Sequence, residues 1–204
     1  MASLLANHSA IEVVETTNNT TEFTRTDPEA AGQTFLYGTP VQLTAGNVAA
    51  WDGATIADGI AGVALGDGQN LGSAGAGFPG PFSPSPFPGT GTTFGTVPNQ
   101  PSAVNIPEGA PFSLGGTTYA TSTRETIFRA QTDNNTGAAT TPTQADVGTA
   151  YGLTKDADGH WYVDFGKTTV GTNTVVEMFA LDPIDGSTAN ARILFKFLAT
   201  AQQI

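Results

Sequence analysis

The chain contains no cysteine, which excludes disulfides and thiolate zinc sites, so the fold must hold by packing and hydrogen bonding alone. Basic residues are scarce too: 7 Lys and Arg stand against 18 Asp and Glu, a net charge of −11. Phosphate backbones are bound by clustered Lys and Arg that release counterions, and the sequence has no such cluster. Neither nucleic acid nor an anionic membrane surface is an expected partner. No run approaches the ~20 apolar residues of a membrane-spanning helix. The opening MASLLANHSAIEVVE has neither a basic nor a long apolar stretch. It does not read as a secretory signal, and synthesis in a cytoplasm is expected.

What is present points to strands and turns. Thr is the commonest residue, with 25 Gly and 13 Pro, while charged residues make up only 12%. Residues 1–30 read as an N-terminal arm: Leu4, Leu5 and Ile11 are apolar without an evident partner, and a polar, patternless stretch follows them. Such termini are ordered mainly by what they bind. From Phe35 onward, FLYGTPVQL, GNVAAW and GIAGVAL are short apolar or alternating runs divided by Asp52-Gly53 and Asp58-Gly59, the cadence of a strand meander.

The clearest alternation lies in the last third. In HWYVDF, Trp161, Val163 and Phe165 share one face, while His160, Tyr162 and Asp164 share the other, after an Asp158-Gly159 turn. In VVEMFAL, Val175, Phe179 and Leu181 fall with Glu177. In ARILFKFLA, Ile193, Phe195 and Phe197 fall opposite Arg192 and Lys196. Period two collects these side chains where a helix would scatter them. The expected fold is all-β, a small antiparallel barrel or sandwich over residues 31–204, with an extended N-terminal arm and a long Pro/Gly-rich loop.

That loop covers residues 68–107. It contains no charged residue, and eight Gly and eight Pro occupy its forty positions. At its centre FPGPFSPSPFPG (78–89) places Phe78, Phe82 and Phe87 among prolines, which fix φ and remove backbone donors, so no strand ladder can run through it. Exposed Phe is costly, at roughly 1.5–3 kcal/mol for each ring that could have been buried. A plain linker would carry Ser or Gln instead. The three rings, with Leu4, Leu5 and Ile11, are therefore candidate contacts to another protein, in the manner of interface anchors. A twelve-residue proline-rich segment reaches about 37 Å at ~3.1 Å per residue.

Chemistry is harder to find. His8 falls in the arm and His160 beside a turn, and neither belongs to a nucleophile motif. KDADGH (155–160) spaces Asp156 and Asp158 as calcium loops do, but lacks the third oxygen ligand and the bidentate Glu, so a turn is expected and no metal. Trp51 and Trp161 could stack on sugars, yet each lies on an alternating run where core burial is expected. No catalytic residue, cofactor or enzymatic activity is expected.

LYGTPVQLTAGNVAAWDGATIADGIAGVALGD (36–67) resembles the opening of tailed-phage capsid decoration, or cement, proteins: a Gly-x-x-Val strand, a turn, a short strand and a Gly-Val-Ala segment. VGTAYGLTKDADGHWYVDF through ARILFKFLA is similar to the closing strands of phage head accessory proteins. The resemblance covers under half of the chain. It implies a small β-barrel or β-sandwich on the virion exterior, a dimer or trimer that binds the major capsid protein and stabilises the assembled shell. It does not account for the 68–107 insertion. The alternative is a host- or carbohydrate-binding module displayed on a virion.

Overall fold

The computed structural model describes residues 8–16, 24–30, 33–54, 56, 59–68, 117–135 and 139–203. In chain order the strands are β1 (Glu12–Thr16), β2 (Thr24–Asp27), β3 (Pro40–Thr44), β4 (Asn47–Ala50), β5 (Gly62–Ala64) and β6 (Thr117–Thr121). They are followed by β7 (Thr126–Asp133), β8 (Ala150–Lys155), β9 (Trp161–Asp164), β10 (Val176–Leu181) and β11 (Arg192–Phe197). The all-β expectation holds.

Strands β7, β11, β10, β8 and β9 are neighbours in that order. β9 then returns to β7 in a short parallel pairing, Thr132↔Val163 and Asp133↔Asp164, which closes a five-strand barrel. The interior follows from the alternation: Ile193, Phe195 and Phe197 of β11 point inward and are buried. Phe128 of β7 lies 5.8 Å from Phe195 and meets Phe197 edge-on at 5.1 Å, geometries that aromatic quadrupoles favour. β1 extends the sheet by pairing with the first half of β7, from Glu12↔Arg129 to Thr16↔Thr126.

Of the three apolar residues expected to share a face in VVEMFAL, Val175 is buried in the core and Leu181 packs against it, but Phe179 stays outside. Val176 and Met178 are buried, whereas Glu177 and Phe179 are exposed. A register shift between Met178 and Ala180 interrupts the period of two, as a bulge does. Phe179 is left outside with the Lys196 ammonium 4.6 Å from its ring centre.

The second sheet runs β2-β6-β5-β3-β4. Its outer strands are tied by the three residues that continue β2: Ala30 N–H donates to Val48 O at 2.8 Å, and Val48 N–H to Pro28 O at 2.6 Å. Phe35, Val41, Val48, Ala61, Ala64 and Tyr119 form a small core here. Trp51, Ile60, Val63 and Ala120 instead join the barrel's own core, so the larger interior is shared by both sheets beside the small core of the second. Within the second sheet β5 and β6 approach closely at Gly62, where a Cβ would stand 2.0 Å from Ala120 O.

The arm expected over residues 1–30 is, in its described part, built into this fold. β1 and β2 belong to the two sheets, and Ile11 is 1% exposed within the shared core. Ile11 therefore presents no surface to another protein. Its backbone also packs on Gly38, whose φ of +79° and absent side chain let the N-terminal segment pass; a Cβ there would meet Ala10 and Ile11 at 2.7 Å.

Candidate functional site

His8 lies where the N-terminal segment crosses the barrel. Its Nε2 is 3.1 Å from Asp133 Oδ2 at the end of β7, and its Nδ1 is 3.1 Å from Asp156 Oδ2 after β8. Its ring stacks on Tyr162 of β9 at 4.3 Å. This explains why Tyr162 and Asp164, on the outer face of β9, are as buried as Trp161 and Val163 on the inner one: the N-terminal segment covers them. Asp164 accepts from Thr154 Oγ1 at 2.7 Å and from Gly166 N–H at 2.9 Å. Burial, then Asp164 and Asp133, push the Tyr162 hydroxyl up to about 12, which keeps it neutral.

Asp156 also organises the turn that the sequence marks. Its Oδ1 accepts from the N–H groups of Asp158 at 3.0 Å and His160 at 2.8 Å. Burial disfavours its charge, but the His160 N–H and the His8 ring outweigh that and hold the carboxyl below the usual range. Among the described residues, no group of three or more His, Asp or Glu is placed to hold a metal ion. With both ring nitrogens of His8 facing carboxylates, the cluster clamps the N-terminal segment and leaves no nitrogen open for proton transfer to a substrate. A second ionic group anchors β1: Arg129 donates to Glu12 at 2.9 Å and to Asp182 at 3.4 Å, while Arg192 forks onto Asp185 at 2.7 and 3.0 Å.

Trp51 and Trp161 are 3% and 4% exposed, tilted against each other at 5.4 Å. Core packing takes their faces, as the alternation suggested, so they form no stacking platform. Both also line a cleft of about 390 Å³, together with Phe35, Leu36, Lys155 and Asp158.

The other proposed contact residues, Leu4, Leu5, Phe78, Phe82 and Phe87, lie outside the described residues. The roots of the insertion that carries the three rings are well defined. β5 and β6 are antiparallel neighbours, paired Gly62↔Thr121, Val63↔Ala120 and Ala64↔Tyr119, and Leu65 N–H still donates to Thr118 O at 2.9 Å. Two strands so placed need only a two-residue hairpin, yet residues 65–116 connect them. His8, Asp133 and Asp164 are the residues that sequence reasoning missed. The one available signal was the placing of Asp133 and Asp164 at the ends of apolar strand runs.

No protein-family model, no curated protein and no solved structure matches this chain.

Proposed function

We propose that the chain is a non-enzymatic structural protein of a virion. It binds the outside of an assembled capsid and stabilises the shell by bridging neighbouring capsomers, with the major capsid protein as its counterpart and a dimer or trimer as its working form. Such a protein is made in the host cytoplasm and ends on the capsid exterior. The observation that carries this reading is the connection between β5 and β6. The fold has no topological use for it, and its sequence offers phenylalanines in an uncharged, proline-stiffened frame. Segments of that kind lose little entropy on docking. A shell presents many equivalent sites, so weak contacts from each subunit of an oligomer multiply into high avidity. An acidic exterior is also compatible with a protein that never meets packaged nucleic acid. The alternative, a host- or carbohydrate-binding module, finds no sugar platform in the buried Trp51 and Trp161.

The test is co-sedimentation with mature heads that lack the protein, followed by the temperature at which those heads release DNA. The full chain should pellet saturably and raise that temperature. A variant with residues 69–114 replaced by a short Gly-Ser linker should stay folded by circular dichroism and lose binding, as should Phe78→Ser/Phe82→Ser/Phe87→Ser. Undiminished pelleting of the linker variant would overturn the role given to the insertion. No pelleting of the intact chain would overturn shell binding itself.

A further inference from the structure

The second sheet has a cavity of about 240 Å³ at one end, and two of the chain's seven basic residues border it. Its lining is apolar at Leu43, Ala61 and Tyr119 and polar at Ser122 and Thr123. Arg25 reaches it from β2, and Arg124 from the turn between β6 and β7. Ligand sites commonly combine an apolar surface with a few converging polar groups.

The charge pattern at this cavity differs from the rest of the molecule. Arg129 and Arg192 are neutralised by Glu12, Asp182 and Asp185. Arg124, by contrast, makes no hydrogen bond or ion pair to any described residue, in a protein with a large excess of carboxylates. Arg25 is held through Nε alone, 2.6 Å from Asp27 Oδ2, and that carboxylate is fixed in turn by the Tyr119 hydroxyl at 2.7 Å. The Arg25 side chain is 58% exposed and so remains within reach of a ligand. Two arginines and no carboxylate are among the residues that line the cavity. A planar guanidinium fork matches a carboxylate in two parallel hydrogen bonds.

We infer that this cavity is a carboxylate-binding site: the guanidiniums of Arg25 and Arg124 take the carboxylate of an organic acid, whose carbon body lies on Leu43 and Ala61. The carboxylate can belong to a small free acid or to an acidic side chain of another protein. The inference stands independently of shell binding.

The full chain labelled with ¹⁵N would be titrated separately with succinate, with an N-acetylated tetraglutamate amide and with inorganic phosphate, each against sodium chloride of equal ionic strength. The Arg124 and Arg25 Nε–H signals and the Ser122 and Thr123 amides should move saturably with succinate, with the peptide or with both. Succinate alone assigns the site to a small acid; the peptide alone assigns it to a partner protein. R124Q, a change on an exposed turn, should weaken binding at least about tenfold, and R25Q should do the same with the signal dispersion retained. Three results would overturn the inference: no movement beyond the chloride control, equal binding by R124Q, or a response to phosphate alone.

Discussion

The barrel and the second sheet reach closure by different means. In the barrel each of the five strands has main-chain partners on two sides, and Phe128, Phe195 and Phe197 fill the space between them. In the second sheet the edges β2 and β4 are joined, among the described residues, through Pro28–Ala30. β3 is completed by a side chain: the Gln203 carboxamide accepts from Leu43 N–H at 2.6 Å and donates to Leu43 O at 2.7 Å, standing in for a strand. The backbone beside it adds Ile60 N–H to Ala201 O and Gln203 N–H to Ile60 O, at 2.6 and 3.0 Å. A ladder distributes its closure over many equivalent bonds, whereas a stitch concentrates it in a few atoms. Damage to the barrel should therefore be global, and damage to a stitch local.

The largest effect should come from Phe128→Ala, at about 3–5 kcal/mol for deleting a fully buried ring. Because the core is shared, both sheets should unfold together. Denaturation followed by tryptophan fluorescence and by far-ultraviolet circular dichroism should give coincident transitions. A second sheet that outlives the barrel would break the picture of a shared interior. His8→Ala should rank next, at roughly 3 kcal/mol, the lower end for a broken buried pair, since Asp133 and Asp156 keep backbone donors.

The same variant sharpens the acid limb. The Asp156 carboxyl is held below its ordinary range in the folded protein, so its contribution is complete above that range and is lost as pH falls through it. Urea denaturation at successive pH values should show stability falling on acidification in the wild type and a shallower fall in His8→Ala, which lacks one of the partners that lower Asp156. Equal slopes would remove His8 from that role. Smallest is Gln203→Ala, at about 1–2 kcal/mol for unmatched backbone groups. Hydrogen exchange should quicken at Leu43 while the β11 amides stay protected. Quickening across the barrel would show that the tail stitches both sheets alike.

Much of the barrel was legible in the sequence because period-two burial leaves its mark on one strand at a time. β11 reads Ile193, Phe195, Phe197 and folds that way. The Asp158-Gly159 turn and the core placement of both tryptophans follow from equally local chemistry. β10 was less legible because its shift at Met178 and Ala180 moves the apolar face mid-strand, and a bulge carries no residue signature of its own there. Residues 8–16 read as an arm because their partners are far away in sequence: Ile11 looks unpaired until Trp51, Phe128 and Val163 surround the same core.

The sequence by itself determined the all-β class, the turns, the inward face of β11, the absence of disulfides and the uncharged insertion between two strand runs. These are set by side-chain period, by backbone constraints at Pro and Gly, and by composition, all of which act over a few residues. Only the tertiary structure decided that His8 is a clamp between Asp133 and Asp156, that β5 and β6 are direct neighbours across residues 65–116, and that Arg25 and Arg124 share one cavity. Each of these joins groups whose separation in sequence is unrelated to their distance in space, and strand pairing together with side-chain packing brings them together.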